Sequence, residues 1–254
     1  MQINNYDSVA DLYDIYVPVD FDVQFFTTEV KQTSRDVLEL MSGTGRVSIP
    51  LLEAGARLTC VDLSASSNAI LQRKLQQRGL TADIHTMDIC ELDLHRQFDM
   101  ILIPFHSFAH ITSVEDQRRA LSRIRQHMAP GGTFICTLGN PDVRQKAVNG
   151  QLRLARKYSL PDTHGMLLLW IVEKISDDDT HVVEAMQFYE EYDANGILQR
   201  KRLLEIHFRL TSRKEFETLA ENAGFKIRSF YGDYQYSDFN DESPFMVWVL
   251  ETTD

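Results

Sequence analysis

Cysteine is scarce in this chain, with three among 254 residues: Cys60, Cys90 and Cys136. None falls at a metal-type spacing and two lie inside apparent strands, so the expectation is buried reduced thiols, with no disulfide framework and no metal. Cations are also in deficit, 26 Lys and Arg against 37 Asp and Glu, a formal net charge of −11. That balance opposes a broad phosphate-binding face and argues against a nucleic-acid partner. The local basic groups Arg118-Arg119 and Arg200-Lys201-Arg202 read as solvated faces. No apolar run is long enough to span a bilayer and no signal-type h-region opens the sequence, so a cytoplasmic protein without a membrane partner is expected. Internal repeats and low-complexity linkers are missing too. The 43% hydrophobic content is enough to bury one sizeable core, with room for a subdomain.

What is present centres on Asp36 to Ser48, DVLELMSGTGRVS. An apolar run carrying one acid, Glu39, breaks into Gly43-Thr44-Gly45-Arg46 and continues as an amphipathic segment. This reads as a buried strand, a tight turn and a helix. Arg57 to Asp62 follows as a second strand ending in an acid, the place where a carboxylate accepts both hydroxyls of a ribose. A nucleoside-bearing cofactor is the first expectation. The dinucleotide fingerprint is incomplete, because Ser48 stands at its third glycine position.

These residues resemble the class I S-adenosylmethionine-dependent methyltransferases, small-molecule type, similar to the glycine and deoxysugar N-methyltransferases. The resemblance rests on Glu39, Gly43, Gly45 and Asp62, and departs from the family pattern at Met41, where a glycine is usual. It implies an acid after the third strand that meets the adenine amino group, and Asp88 between Met87 and Ile89 fits. The cofactor-binding set it implies is Tyr13, Glu39, Met41, Gly43, Gly45, Arg46, Asp62, Leu63, Met87, Asp88, Ile89, Pro104 and Phe105. It further implies S-adenosyl-L-methionine as cofactor, with S-adenosyl-L-homocysteine as product.

Elsewhere the pattern is coarser. Val9, Leu12, Tyr13 and Tyr16 recur at helical spacing behind Asp7-Ser8. By resemblance, such a segment closes over the cofactor, with Tyr6 and Tyr13 lining the site. Phe98 to Ile103 is a strand that runs into Pro104-Phe105-His106-Ser107-Phe108-Ala109-His110. Ligands gather at the carboxyl ends of such strands, which makes His106 and His110 catalytic candidates, and the resemblance adds Tyr13 to them. Beyond residue 142 the α/β rhythm stops. Met166 to Ile175, His181 to Tyr192 and Leu198 to Leu210 predict an antiparallel three-stranded insertion, with Asn195-Gly196 as a two-residue hairpin turn. Trp170, Tyr189 and His207 are candidates for its substrate face, against packing or surface roles.

The expected fold is α/β, a doubly wound Rossmann-like seven-stranded sheet with that insertion. Its parts are an N-terminal helical cap (1–34), a cofactor core (35–141), the insertion as lid, substrate or dimer surface (142–210), and a helix with a terminal strand pair (211–254). Methyl transfer to a small-molecule acceptor follows. An amine nucleophile need only arrive neutral, whereas a hydroxyl needs a general base, and no diagnostic His–Asp pair is present. N-methylation is therefore favoured over O-methylation. An NAD-dependent oxidoreductase and a non-catalytic S-adenosylmethionine-binding protein are the readings from other classes. An exposed antiparallel sheet also makes a homodimer plausible.

Overall fold

The computed structural model describes residues 4–33, 36–160 and 162–253. Residues 1–3 and 34 of the expected cap, 35 of the core, 161 of the insertion and 254 of the last segment lie outside the described residues. A 3-10 helix, Tyr6–Leu12, runs into α1 (Tyr13–Tyr16), and α2 (Val23–Thr33) follows. Then come β1 (Asp36–Leu40), α3 (Ser48–Glu53), β2 (Arg57–Asp62), α4 (Ala65–Arg78), β3 (Asp83–Thr86), β4 (Phe98–Ile103), α5 (Val114–Gln126) and β5 (Met128–Gly139). After α6 (Pro141–Arg144) the chain makes β6 (Arg153–Leu160), β7 (Gly165–Ile175), β8 (Val182–Tyr192) and β9 (Leu198–Arg209). It ends with α7 (Arg213–Asn222), β10 (Phe225–Tyr231) and β11 (Phe245–Thr252).

Seven strands form one sheet in the order β10-β11-β5-β4-β1-β2-β3. All neighbours are parallel except β11, which runs antiparallel to both β10 and β5. Helices cover both faces, so the central strands are buried on both sides and read as near-continuous apolar runs. Leu38, Leu40, Ile101 and Phe134 face a cluster with α5 and α7, while Val37, Leu58, Met100 and Leu102 face α2, α3 and α4. The chain builds β1, β2 and β3 in one direction and then crosses to place β4 on the other side of β1. A crevice opens at such a switch point, outside the carboxyl ends of β1 and β4.

The second sheet has four antiparallel strands, β6-β7-β8-β9, one more than the three expected. The added strand is β6. Arg153, Arg156 and Lys157 interrupt its apolar pattern, and it lies at the edge with most residues exposed. Charge on an edge strand blocks further pairing, and it also hides the strand from periodicity. The β8–β9 connection, residues 193–197, closes three residues between Asp193 and Ile197 where a two-residue turn was expected. Asp193 N–H donates to the Ile197 carbonyl at 3.0 Å, and Gly196 takes the left-handed position (φ 77°).

Candidate active site

The crevice is a cavity of about 940 Å³, walled by the carboxyl ends of the core strands, the N-terminal segment and the inner face of the four-stranded sheet. Of the expected cofactor residues, Tyr13, Met41, Gly43, Asp62, Leu63, Met87, Asp88, Ile89 and Phe105 line it, together with His106 and His110. Glu39, Gly45, Arg46 and Pro104 stand behind the wall.

Between β1 and α3 the backbone turns through left-handed residues at Met41 (φ 57°), Gly43 (φ 57°) and Gly45 (φ 88°). A Cβ added at Gly43 would meet nothing within 4 Å, so the missing side chain leaves open space beside the cavity. The Gly43 N–H donates to Asp62 Oδ2 at 2.8 Å. At Gly45 an added Cβ would lie 2.3 Å from Leu71 Cδ1, so this glycine lets α4 pack against the turn. Met41 keeps the backbone angle that suits glycine, and its half-buried side chain packs against the core. Asp62 also accepts from Ser64 N–H at 2.8 Å. Each of its oxygens retains capacity for a hydroxyl donor from the cavity. Burial raises its pKa, and the two N–H groups oppose that shift.

The residues behind the wall build the turn. Glu39 accepts from Ser48 Oγ at 2.6 Å. Ser48, at the third glycine position, is thus the partner of a buried acid. Burial carries the Glu39 pKa to about 8, against the pull of the Ser48 hydrogen bond. Arg46 pairs with buried Asp22, donates to the Val19 carbonyl at 3.2 Å and lies 4.6 Å over the Phe105 ring. It fastens the entry to α2 and the loop after β4 onto the glycine turn. The Pro104 carbonyl accepts from Ser107 N–H at 3.2 Å, closing the turn beneath the histidine loop.

That loop holds two successive non-glycine residues in the left-handed region, Phe105 (φ 55°) and His106 (φ 61°), a strained conformation that persists only where its surroundings enforce it. The His106 ring lies between Phe105 and Phe245, 5.8 and 5.1 Å away, both near-parallel. Its Nδ1 is buried without a hydrogen-bond partner among the described residues. Burial lowers its pKa to about 4; Asp22 opposes this and Arg144 adds to it. His106 is therefore held as a neutral imidazole, with the Leu138 backbone also opposing the shift. His110 is occupied: Asn4 Nδ2 sits 2.8 Å from its Nδ1 and Tyr6 Oη 3.3 Å from its Nε2. Burial lowers its pKa as well. Tyr13 is pushed up to about 12, mainly by burial.

The N-terminal segment bridges the two sheets over this cavity. On the core side Asp7 accepts from Ser64 Oγ and from Ser66 N–H (3.0 Å), and Asp14 accepts from Thr44 Oγ1 (2.7 Å) and pairs with Lys74 (2.6 Å). On the other side Asp11 pairs with Arg202 at 2.6 Å, and the Asn4 amide exchanges two hydrogen bonds with the His207 backbone at 2.8 and 2.9 Å. Asn5, in place of the expected Asp7-Ser8, caps the segment.

Trp170, Tyr189 and His207 do not line the cavity. The Trp170 indole donates to Glu190 (3.0 Å), and Tyr189 is buried against Tyr16 (ring centroids 5.0 Å apart). Arg144, Glu173, Gln187, Phe208, Arg209 and Phe245 do line it and carry no motif. The one usable signal was Glu173, an acid inside the apolar run Met166 to Ile175. No group of three or more metal-ligating side chains gathers among the described residues. The arrangement can hold an adenosyl ligand by its hydroxyls and place a second molecule against a neutral imidazole.

Residues 37–132 match a family model described as a methyltransferase domain. The cypemycin N-terminal methyltransferase of Streptomyces sp is 33% identical over 113 residues, 44% of this chain and 45% of that protein. A glycine/sarcosine N-methyltransferase of Parasynechococcus marenigrum (strain WH8102) is 25% identical over 89% of this chain and 75% of its own. The chain spans about half the length of the first curated relatives it matches. Among solved structures, the CcbJ methyltransferase from Streptomyces caelestis superposes with a TM-score of 0.83 at 22% identity, covering 98% of this chain and 97% of that one, a likeness of fold. The matched methyltransferase domain spans the glycine turn, Asp62 and Asp88, and the whole chain shares the fold of solved S-adenosylmethionine-dependent methyltransferases.

Proposed function

We propose that this protein binds S-adenosyl-L-methionine and methylates a small-molecule amine, releasing S-adenosyl-L-homocysteine. The observation that carries the reading is a single cavity joining Gly43, Asp62 and Asp88 to the neutral imidazole of His106. Asp62 takes the ribose hydroxyls, Asp88 the adenine amino group, and Met87 and Ile89 the ring faces. The open space at Gly43 admits the rest of the ligand, beside Tyr13 and Met41. When bound, the cofactor supplies an electrophilic methyl group on a sulfonium. The protein's task is alignment in a dry cleft, which is worth roughly 7–11 kcal/mol in the best intramolecular models.

N-methylation is favoured by His106 itself. An imidazole lowered to about 4 is a poor base for a hydroxyl but a good acceptor for one N–H of a neutral amine. The names of relatives such as glycine/sarcosine N-methyltransferase support the same choice for those proteins. Residues 1–34 act as cap, 35–141 as cofactor core, 142–210 as acceptor wall and 211–254 as completion of the core. The three buried free thiols suit a reducing, cytoplasmic setting. Leu154, Met186 and Leu203 are exposed on the four-stranded sheet and support a homodimer through that face.

Incubation with labelled S-adenosylmethionine and a metabolite extract should give a labelled small amine. Label found only in protein or RNA would contradict the reading, and stabilisation by NAD but not by S-adenosylmethionine in thermal shift would replace it with the oxidoreductase.

A further inference from the structure

The acceptor half of the cavity carries a charge that methyl transfer itself does not require. Glu173, on β7, is 5% exposed, and its carboxylate is met by two guanidinium groups. Arg144, on α6, reaches both of its oxygens, Nη1 to Oε2 at 3.3 Å and Nη2 to Oε1. Arg153, on β6, donates to Oε2 at 2.9 Å. One carboxylate against two guanidinium groups leaves a net positive charge. Arg144, Glu173 and Phe208 line the cavity and Arg153 does not, so the surplus faces the cavity through Arg144. Its guanidinium lies 4.9 Å over the Phe208 ring, held flat by stacking and fork-on-fork pairing. The fork uses one N–H of each terminal nitrogen, leaving further donors on a group that carries five.

The other charged groups on this wall do not cancel that surplus. Arg209 is matched by Asp179 (2.8 Å) and Glu215 (3.8 Å). Gln187 is neutral and accepts from Tyr189 Oη at 2.5 Å. A cationic group is a poor fit for Glu173, whose oxygens are already engaged, since displacing a guanidinium would strand buried charge.

The geometry points to a methyl acceptor that carries an anionic group, a carboxylate or a phosphate, received by Arg144. Glu173 and Arg153 are positioning residues that fix the guanidinium plane. This rests on the methyl-transfer reading and narrows its substrate class. The same cation also disfavours an ammonium close by, which helps the acceptor amine arrive unprotonated beside His106.

The test is ligand-observed NMR on the full chain, with and without saturating S-adenosylhomocysteine. Acetate is followed by its proton line, inorganic phosphate by its phosphorus line, and acetamide serves as the uncharged match for acetate. Expected is broadening of acetate if the anion is a carboxylate, or of phosphate if it is a phosphate, with none for acetamide. Arg144→Gln should weaken the effect roughly tenfold or more, as for loss of a charge-assisted hydrogen bond, and Arg144→Lys should restore part of it. Glu173→Gln should weaken anion binding while leaving S-adenosylhomocysteine affinity unchanged, which a general loss of structure would not do. Silence from both anions, equal broadening by acetamide, or undiminished binding in Arg144→Gln would overturn the proposal. If calorimetry shows no S-adenosylhomocysteine binding to the parent, the cofactor reading fails, and the measurement without it still decides the anion site.

Discussion

Gly43 and Gly45 are two residues apart and answer to different constraints. Gly43→Ala meets no protein atom but takes a strained φ beside the cavity, so it should cost about 1–2 kcal/mol of stability. Its larger effect should be on S-adenosylhomocysteine affinity, read by calorimetry. Gly45→Ala adds contact with buried Leu71 to the same strain and should cost about 2–5 kcal/mol, read as a lower denaturant midpoint. The reverse ranking in stability would show that the turn is shaped by something else. The motif made both glycines legible as a turn, and only the placement of α4 separates their roles. The same holds for Glu39. Its acid was visible inside an apolar strand, but that it meets Ser48 beneath the turn, away from the cavity, depends on how α3 lies on β1.

Among the elements, the N-terminal segment is tied to both sheets by polar contacts, with Val9 and Leu12 buried against the four-stranded sheet. The Asn4 amide substitutes for a strand partner on β9 and also holds His110. Asn4→Ala removes about 1–2 kcal/mol of hydrogen bonding at this clasp. We expect S-adenosylhomocysteine to bind up to about tenfold more weakly, with faster amide exchange across residues 6–16 and little change in the global midpoint. Unchanged affinity and exchange would mean that Asp7, Asp11 and Asp14 hold the segment without Asn4. Periodicity found the buried face of this segment. It missed the 3-10 geometry, because Asp7 leaves its local cap to bond Ser64 and Ser66 on the core. It missed β6 for a similar reason, since a charged edge strand shows no alternation.

For the molecule as a whole, two buried groups tilt stability with pH in opposite directions. His106, lowered to about 4, takes up its proton in the unfolded chain first, so stability falls as pH drops from about 6.5 toward 4. Glu39, raised to about 8, holds its proton longer in the folded chain, so stability falls as pH rises from about 4.5 through 8. Glu39→Gln keeps a neutral group of the same shape and should remove the alkaline decline. Relative to the parent it should gain on the order of a few kcal/mol near pH 9, measured by denaturant titration across pH. A parallel pH profile would place the ionisation elsewhere.

By itself the sequence determined the seven strands of the core and the glycine turn, and it put Asp62 at the end of the second strand and Asp88 just after the third. Those features are local, set by short-range periodicity and by backbone angles that few residues tolerate. The charged cluster on the cavity wall was decided only in three dimensions. Arg144, Glu173 and Arg153 come from three elements, and no residue spacing brings them together. The left-handed pair Phe105-His106 and the burial that keeps His106 neutral are imposed by Phe245 and Arg46, which arrive from distant parts of the chain. Long-range packing sets charge and strain at a site, and a linear pattern carries no record of it.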